Sequence, residues 1–422
     1  MRSRATAWCR VDARMLQSTT DTVETRASWL TATVSLGILA IAYGAPWVAA
    51  VALKGIAAEA GGERSVPALA IALAWLGAGL GGIAMGRIAE RIGVRSTVMF
   101  GAVMIALGLT LATFGPGWQL YVGYGLFVGL IGLGGINAPL YVYVSRWFDR
   151  RRGSALALIS SGVYLAGAVW PPIFERAIAF VGWRQTMSWF GAFAAVAIVP
   201  LAVIFLKAPP EAADADTAAH DPASGNRVLG WPPNLTFVLL AAGIFLCCVP
   251  MSMPQGHLVA FCSDIGISAS HGAIMLSVLL GTGFVTRQFW GLIADRIGGL
   301  RTVLIGSCWQ ALTIAAFLLT HNEIALFAIA AAFGVGYSGL VPANALTVRE
   351  LFPADQAHWR LPTLLFCSAA GMATGGWLGG ALYDHFGYYD PAFATAVAVN
   401  LLNLTIVTTL TWRQASVAAL AR

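Results

Sequence analysis

Arg287 is the residue in this sequence that most needs a chemical explanation. It sits in the apolar run 271–294, about 6–8 residues from the end that leads to Asp295 and Arg296, which is roughly 9–12 Å at the helical rise. An ionised side chain at that depth in a bilayer costs several kcal/mol unless it faces a cavity or a partner. The plain alternative is a snorkelling arginine whose head reaches the interface. No carboxylate of the same run stands near it in sequence. A guanidinium without an internal counter-ion suits an arriving anion, because it grips a carboxylate through two parallel hydrogen bonds. The acids point the same way: Glu59, Glu63, Glu175, Asp264, Glu323, Asp384 and Asp390 all fall at the ends of apolar runs or between them. A cationic cargo would require a buried carboxylate, and proton coupling through a mid-membrane acid has no candidate residue. What remains for entry or coupling is Lys54, His257 or the cargo's own carboxylate. Lysines near helix ends often snorkel, and a lone histidine often only packs; the imidazole nevertheless titrates in the useful range.

Other polar and aromatic side chains can complete a site around Arg287. Asn137 and Tyr141 share a helix face at i,i+4, as do Tyr43 and Trp47. Tyr337 lies in a later run, and Cys367 offers a small wall. Asn137 and Tyr337 are the expected partners of Arg287. Each could equally serve as packing between helices. Glycines crowd two runs, Gly77, Gly79, Gly81, Gly82 and Gly86 in one and Gly371, Gly375, Gly376, Gly379 and Gly380 in the other. Such small-residue seams allow close helix approach, either static or sliding. No glycine-rich loop has a phosphate-binding context, the cysteines lack metal-ligand spacing, and no hydrolase or zinc-protease motif occurs. The expectation is a non-enzyme with no cofactor and no metal.

The elements that position these residues are membrane helices. Of 422 residues, 58% are apolar and only 10% charged, with mean hydropathy +0.75, whereas a soluble domain carries charge on about a quarter of its residues. The net charge of +6 does not indicate nucleic acid, because the arginines fall in separate short segments. Apolar runs of about 20 residues, each long enough to cross a bilayer, lie at 30–54, 66–87, 97–115, 119–145, 154–174 and 184–206. Six more lie at 234–261, 271–294, 301–320, 323–347, 361–383 and 391–412. The predicted organisation is a tail over 1–28, a six-helix bundle over 29–206, a polar linker over 207–232, a second bundle over 233–412 and a tail over 413–422. The first tail has no cleavable apolar leader, and Met15 is an alternative start. Orientation follows from Lys and Arg: with the N-terminus inside, twenty face the cytoplasm and four (Lys54, Arg64, Arg176, Arg184) face outward. Both termini are therefore expected to be cytoplasmic.

The halves repeat. Gly86-Arg87-Ile88-Ala89-Glu90-Arg91-Ile92-Gly93 returns as Gly291-Leu292-Ile293-Ala294-Asp295-Arg296-Ile297-Gly298, and Arg146-Trp147-Phe148 returns more weakly as Arg349-Glu350-Leu351-Phe352. The offsets are nearly equal, so the halves are parallel copies, an arrangement that puts a solute path at their interface.

With these features the sequence resembles the major facilitator superfamily over nearly all of 29–412. The loop after the second run is similar to that superfamily's Gly-x-x-x-Asp-Arg-x-Gly-x-Arg motif at Gly86, Arg91, Gly93 and Arg95, with Glu90 in the Asp position; Gly291, Asp295 and Arg296 belong to the second copy. The resemblance implies a charge network there that biases the conformational cycle. A narrower likeness is to the monocarboxylate transporter and oxalate–formate antiporter group. It rests on Arg146 through Ala155, on His257-Leu258-Val259 with Asp264 and Gly266, on Arg287, and on Lys54. Proton-coupled members often carry an Asp one turn before the arginine, where this chain has Gly283. The implied fold is an all-α membrane protein of twelve transmembrane helices in two pseudo-symmetric six-helix bundles. The implied function is carriage of a small organic anion, a mono- or dicarboxylate, with a proton or counter-anion as co-solute. The expected unit is a monomer in a bacterial inner membrane. Alternatives are an exporter of amphipathic compounds and a non-transporting membrane sensor.

Overall fold

The computed structural model describes residues 25–148, 151–207 and 227–420. Residues 1–24 of the first expected tail, 208–226 of the linker, 421–422 of the second tail, and Asp149 and Arg150 lie outside them. The described chain is helical almost throughout. Eleven helical stretches are long and apolar enough to cross a membrane. One of them, Gly153–Phe205, runs for 53 residues, far more than the ~20 that a bilayer accommodates. It is broken at Gly182, whose φ of 80° and ψ of 166° are not helical. A side chain would be strained at that φ, so glycine sets the turn. Counting the two limbs separately gives twelve spans, numbered here in chain order.

Span 1 is Arg26–Val51, followed by a short helix, Leu53–Glu59. The first helix of span 1 ends at Ala42 and a second starts at Gly44. Pro46 explains the break, because it has no N–H to offer the carbonyl of Ala42 and its ring crowds that oxygen. Span 2 is Ser65–Ile92, span 3 Val94–Ala112 and span 4 Trp118–Ser145. Spans 5 and 6 are the limbs on either side of Gly182. Spans 7 to 12 are Pro233–Asp264, Ala269–Ile297, Gly299–Phe317, Glu323–Leu351, Trp359–Phe386 and Asp390–Val417.

The sequence repeat is also a backbone repeat. Gly93, between spans 2 and 3, has φ 86° and ψ 149°; Gly298, between spans 8 and 9, has φ 87° and ψ 162°. At both places the chain turns directly from one helix into the next, using a conformation open to glycine.

The glycine runs divide between two roles. A Cβ on Gly77 or Gly81 would collide with the backbone of span 4 at Gly125 or Leu130, and one on Gly371 or Gly375 would collide with Phe245 or Val249 of span 7. These are close seams between neighbouring helices. Gly380 instead approaches Arg64 and Ala68, and Gly79 approaches Ala369, so span 11 crosses span 2 through small residues. Span 5 crosses span 8 in the same way, at Gly167 against Leu280. Large apolar side chains such as Val196, Leu312 and Trp412 face outward, as a lipid solvent requires.

Candidate functional site: an arginine cluster, an aromatic recess and a charged clasp

Arg287 projects from span 8 onto span 5. Its Nε donates to Ser160 Oγ at 3.0 Å, and one Nη donates to Tyr164 OH and to the Ser338 carbonyl, both at 3.1 Å. The guanidinium carbon lies 5.0 Å from the centre of the Tyr164 ring. Among the described residues no carboxylate pairs with Arg287, and its second Nη makes no hydrogen bond. The guanidinium is held by neutral groups and is left with a free pair of N–H donors. Beside it, Gln288 reaches Ser161 at 3.4 Å and Thr286 reaches the Ser338 hydroxyl at 3.1 Å.

The expected partners are placed differently from the sequence reading. Tyr337 gives Arg287 no hydrogen bond. Its ring packs against Tyr164 at 5.6 Å and Phe333 at 5.0 Å, while its buried hydroxyl has no partner. Asn137 also makes no bond to Arg287, and its buried Oδ1 is unpartnered. Tyr141, one turn from Asn137, comes within interaction range of Ser160 and Arg287, and Tyr43 comes within range of Tyr141. Cys367 is half-buried and free, with no contact to this cluster among the hydrogen bonds found. Ser160, Ser161 and Tyr164 were not anticipated. The signal for them was present, three polar residues within one and a half turns of an otherwise apolar run. Gly283 acquires a steric reason: a Cβ there would stand 2.9 Å from the Tyr164 ring. The side chain absent at Gly283 is the space that Tyr164 fills.

The opposite end of the spans is clasped by charge. The Arg64 guanidinium is bidentate on Asp264, through a contact to Oδ2 and a 2.7 Å bond to Oδ1. It also donates to Tyr389 OH at 3.0 Å and lies 3.5 Å from the Tyr383 ring centre. Lys54 reaches the same Asp264 at 3.0 Å and the Ser263 hydroxyl at 2.8 Å. Asp384 accepts the backbone N–H groups of Arg64 and Ser65, at 2.7 and 2.8 Å. It thereby occupies the N-terminus of span 2, where a negative charge is favoured. His257, 2% exposed, donates from Nε2 to the Gly376 carbonyl at 2.7 Å and accepts at Nδ1 from Tyr389 at 3.1 Å. That assignment follows because the carbonyl can only accept. Burial pushes the Tyr389 phenol above its usual range, while the nearby Arg64 opposes that shift. Nearby, Glu59 pairs with Arg184 at 2.5 Å and accepts from Trp183 at 2.9 Å. Partial burial raises the Glu59 carboxyl, but its bonds to Arg184 and Trp183 outweigh that and hold it below the usual carboxylate range.

Between the clasp and the arginine cluster lies a narrow recess bounded by Trp47, Trp75, Ile71, Gln255, His257 and Met372. The Trp75 ring lies 5.8 Å from that of Tyr43.

At the arginine end, the motif charges form no ion-pair network among the described residues. Glu90, Arg91 and Arg95 are exposed, as are Asp295 and Arg296, and none of them forms an ion pair among the described residues. Gly86 and Gly291 have open space where a Cβ would be.

Comparison with known proteins is consistent with a transport protein. The chain is 27% identical over 333 residues to monocarboxylate transporter 13 of Rattus norvegicus, covering 76% of this chain and 74% of that one. It is 25% identical over 335 residues to the MFS-type transporter pynF of Aspergillus niger, covering 75% and 74%. It is 23% identical over 328 residues to an agnestins efflux protein of Paecilomyces divaricatus, covering 76% and 72%. A peptide transporter POT crystallised with alafosfalin superposes with a TM-score of 0.69 at 14% identity, over 90% of this chain and 95% of that one; this likeness shows the fold. The model of the Major Facilitator Superfamily matches residues 35–258 and again 240–420. Two overlapping matches to one family together span residues 35–420, and the chain belongs to the Major Facilitator Superfamily.

Proposed function

We propose that this transporter carries a small organic anion, a mono- or dicarboxylate, by alternating access between two six-helix halves, with both termini on the cytoplasmic face. The observation that carries the reading is Arg287: a cation between spans 5 and 8 that is oriented by Ser160 and Tyr164 and has no carboxylate partner among the described residues. A solute carboxylate would take the free Nη donors, while Tyr141 and Tyr164 line its approach. Tyr337 and Asn137 carry unpartnered polar atoms that the same solute, or its water, would satisfy. Lys54 and His257 lie at the clasp rather than beside Arg287, so their role is entry or gating. In this proposal the clasp closes the outward side, and the unpaired loop motifs belong to the state that faces the cytoplasm. The similarity to a monocarboxylate transporter supports the reading.

The test is uptake by purified protein in proteoliposomes, with labelled lactate, oxalate, formate and pyruvate in counterflow at two pH values. Arg287→Gln is expected to abolish uptake of the acid carried by the wild type, with a fall of about 100-fold, in keeping with loss of a charge-assisted bond of about 2–3 kcal/mol. Uptake by a folded Arg287→Gln protein at the wild-type rate would overturn the assignment.

A further inference from the structure

We infer that Pro342 is a positioning residue for the anion site. Its missing N–H frees the Ser338 carbonyl, and that carbonyl fixes Arg287 in the pose that leaves one Nη free for a carboxylate. This rests on the proposed role of Arg287 and adds to it how the fold aims the guanidinium.

Span 10 is two helices rather than one. Glu323–Tyr337 ends and Leu340–Leu351 begins, with Ser338 and Gly339 between them. In an unbroken helix the Ser338 carbonyl would accept the N–H of the residue four places on. That residue is Pro342, which has no N–H to give. Ser338 is fully buried, and a buried carbonyl needs a donor from elsewhere. One Nη of Arg287 donates to it at 3.1 Å, and the Tyr164 hydroxyl approaches it at 3.5 Å. A bond from a guanidinium is charge-assisted and stronger than one between neutral groups. Together with the bonds to Ser160 and Tyr164, it occupies Nε and one Nη and leaves the other Nη unbonded.

The carbonyl is itself held in place. Span 10 lies close against span 8: a Cβ on Gly334 would stand 2.0 Å from the Leu279 carbonyl, and one on Gly339 2.3 Å from the Trp290 ring. Side chains of spans 8 and 9 also bond the carbonyls that lead up to the break. Thr282 donates to Ala331 at 3.1 Å, Trp309 to Ala332 at 2.7 Å and Trp290 to Val335 at 2.6 Å. The Ser338 hydroxyl meets Thr286 at 3.1 Å. An acceptor anchored on several sides orients a long, flexible side chain before the cargo arrives. The first half of the chain offers a contrast. Pro139 stands in span 4 at the offset that relates Arg146 to Arg349, inside a helix that continues through it, and it frees the Gly135 carbonyl in the same way. Among the described residues no side-chain hydrogen bond reaches that carbonyl. The freed acceptor is used in the half that carries the arginine.

The experiment reads the half-saturation concentration and maximal rate of uptake by full-length protein in proteoliposomes, with labelled lactate, pyruvate, formate and oxalate as probes. Pro342→Ala restores an N–H that closes the helix on the Ser338 carbonyl. It is expected to raise the half-saturation concentration about tenfold, with the maximal rate within about twofold of wild type. A second variant separates the missing donor from the proline ring. The α-hydroxy analogue of alanine, placed at position 342 by cell-free translation, gives a backbone ester with neither N–H nor ring. Its half-saturation concentration is expected to stay within about twofold of wild type, although its side chain is that of Pro342→Ala. Equal half-saturation in wild type and Pro342→Ala would overturn the inference. So would a tenfold weaker ester variant, which would assign the effect to the ring; this arm decides by itself if Pro342→Ala fails to fold. Arg287→Gln separates failure of the site from failure of its positioning. Uptake abolished there, with wild-type half-saturation in Pro342→Ala, refutes the positioning role alone, whereas wild-type uptake by Arg287→Gln removes both.

Discussion

The two ends of this transporter carry similar numbers of charges but use them in opposite ways. At the Lys54 end, Arg64 and Lys54 from one half of the sequence converge on Asp264 from the other, and Asp384 caps span 2. At the opposite end, Glu90, Arg91, Arg95, Asp295 and Arg296 stand exposed and unpaired among the described residues. The difference is one of geometry rather than composition. The Arg64 side chain is 7% exposed and Asp264 22%, so their attraction is felt in a low-dielectric setting. The charges at the motif end are exposed, so water and salt screen them. Under the proposed alternating access, a clasp made at one end, with no ion pair at the other among the described residues, corresponds to one of the two access states.

The largest expected effect comes from breaking the clasp. Asp264→Asn leaves Arg64 buried beside Tyr389 and Tyr383 with no counter-charge, a loss of about 3–5 kcal/mol for a buried pair. Spin labels at Glu63 and Tyr388, on either side of the clasp, should move apart and show a broad distance distribution. Distances identical to wild type would mean that packing of span 2 on span 11 holds this end without the charges. A second substitution probes the arginine cluster. Gly283→Asp forces the Tyr164 ring aside and puts a carboxylate one turn from Arg287. Anion uptake should fall at least about tenfold as that carboxylate competes for the guanidinium. An unchanged rate would argue that the Tyr164 position is irrelevant to binding.

Glu90→Gln with Asp295→Asn sharpens the contrast from the other side. Because neither residue has an ion-pair partner among the described residues, the melting temperature should hold, with a stability change within about 0.5 kcal/mol. The balance between access states, read by the same labels, should shift if the network forms in the alternate state. The smallest effect belongs to Glu59. Its carboxyl is held below the usual range by Arg184 and Trp183, with burial opposing. A depressed folded-state value means that the stabilisation is present above the unfolded value and lost as pH falls through the folded one. Both side chains are more than a third exposed, so the pair contributes at most about 1 kcal/mol. Glu59→Gln should therefore lower the melting temperature slightly at neutral pH and not at all in acid below the carboxylate range.

The candidate site was readable in part. Arg287 announced itself because a lone cation in an apolar run has few explanations, and Lys54, His257 and Asp264 drew notice as polar residues near span ends. Their assignments shifted once their neighbours were known. The guanidinium bonds to Ser160 and Tyr164, more than 120 residues away, rather than to Tyr337 or Asn137. Arg64, Asp384 and Tyr389 carry the clasp, yet in sequence they are isolated residues in short connections. Nothing local distinguishes an arginine that bridges two helices from one that meets water. Glycines show the same limit: Gly77 and Gly380 look alike in their runs, but one meets span 4 within its own half and the other meets Arg64 across the interface.

The sequence by itself determined the solvent, the number of spans and the existence of a repeat. Each depends on features that the chain carries locally: runs of about 20 apolar residues, and glycine at the turns after spans 2 and 8, where positive φ is required. It also determined that any charge inside the membrane would be positive. Only the tertiary structure decided what that charge touches, which end is clasped, and which glycines lie between the halves. Those outcomes depend on where spans 2 and 11, and 5 and 8, cross. A crossing joins residues hundreds of positions apart, and it is selected by packing that no stretch of sequence carries alone.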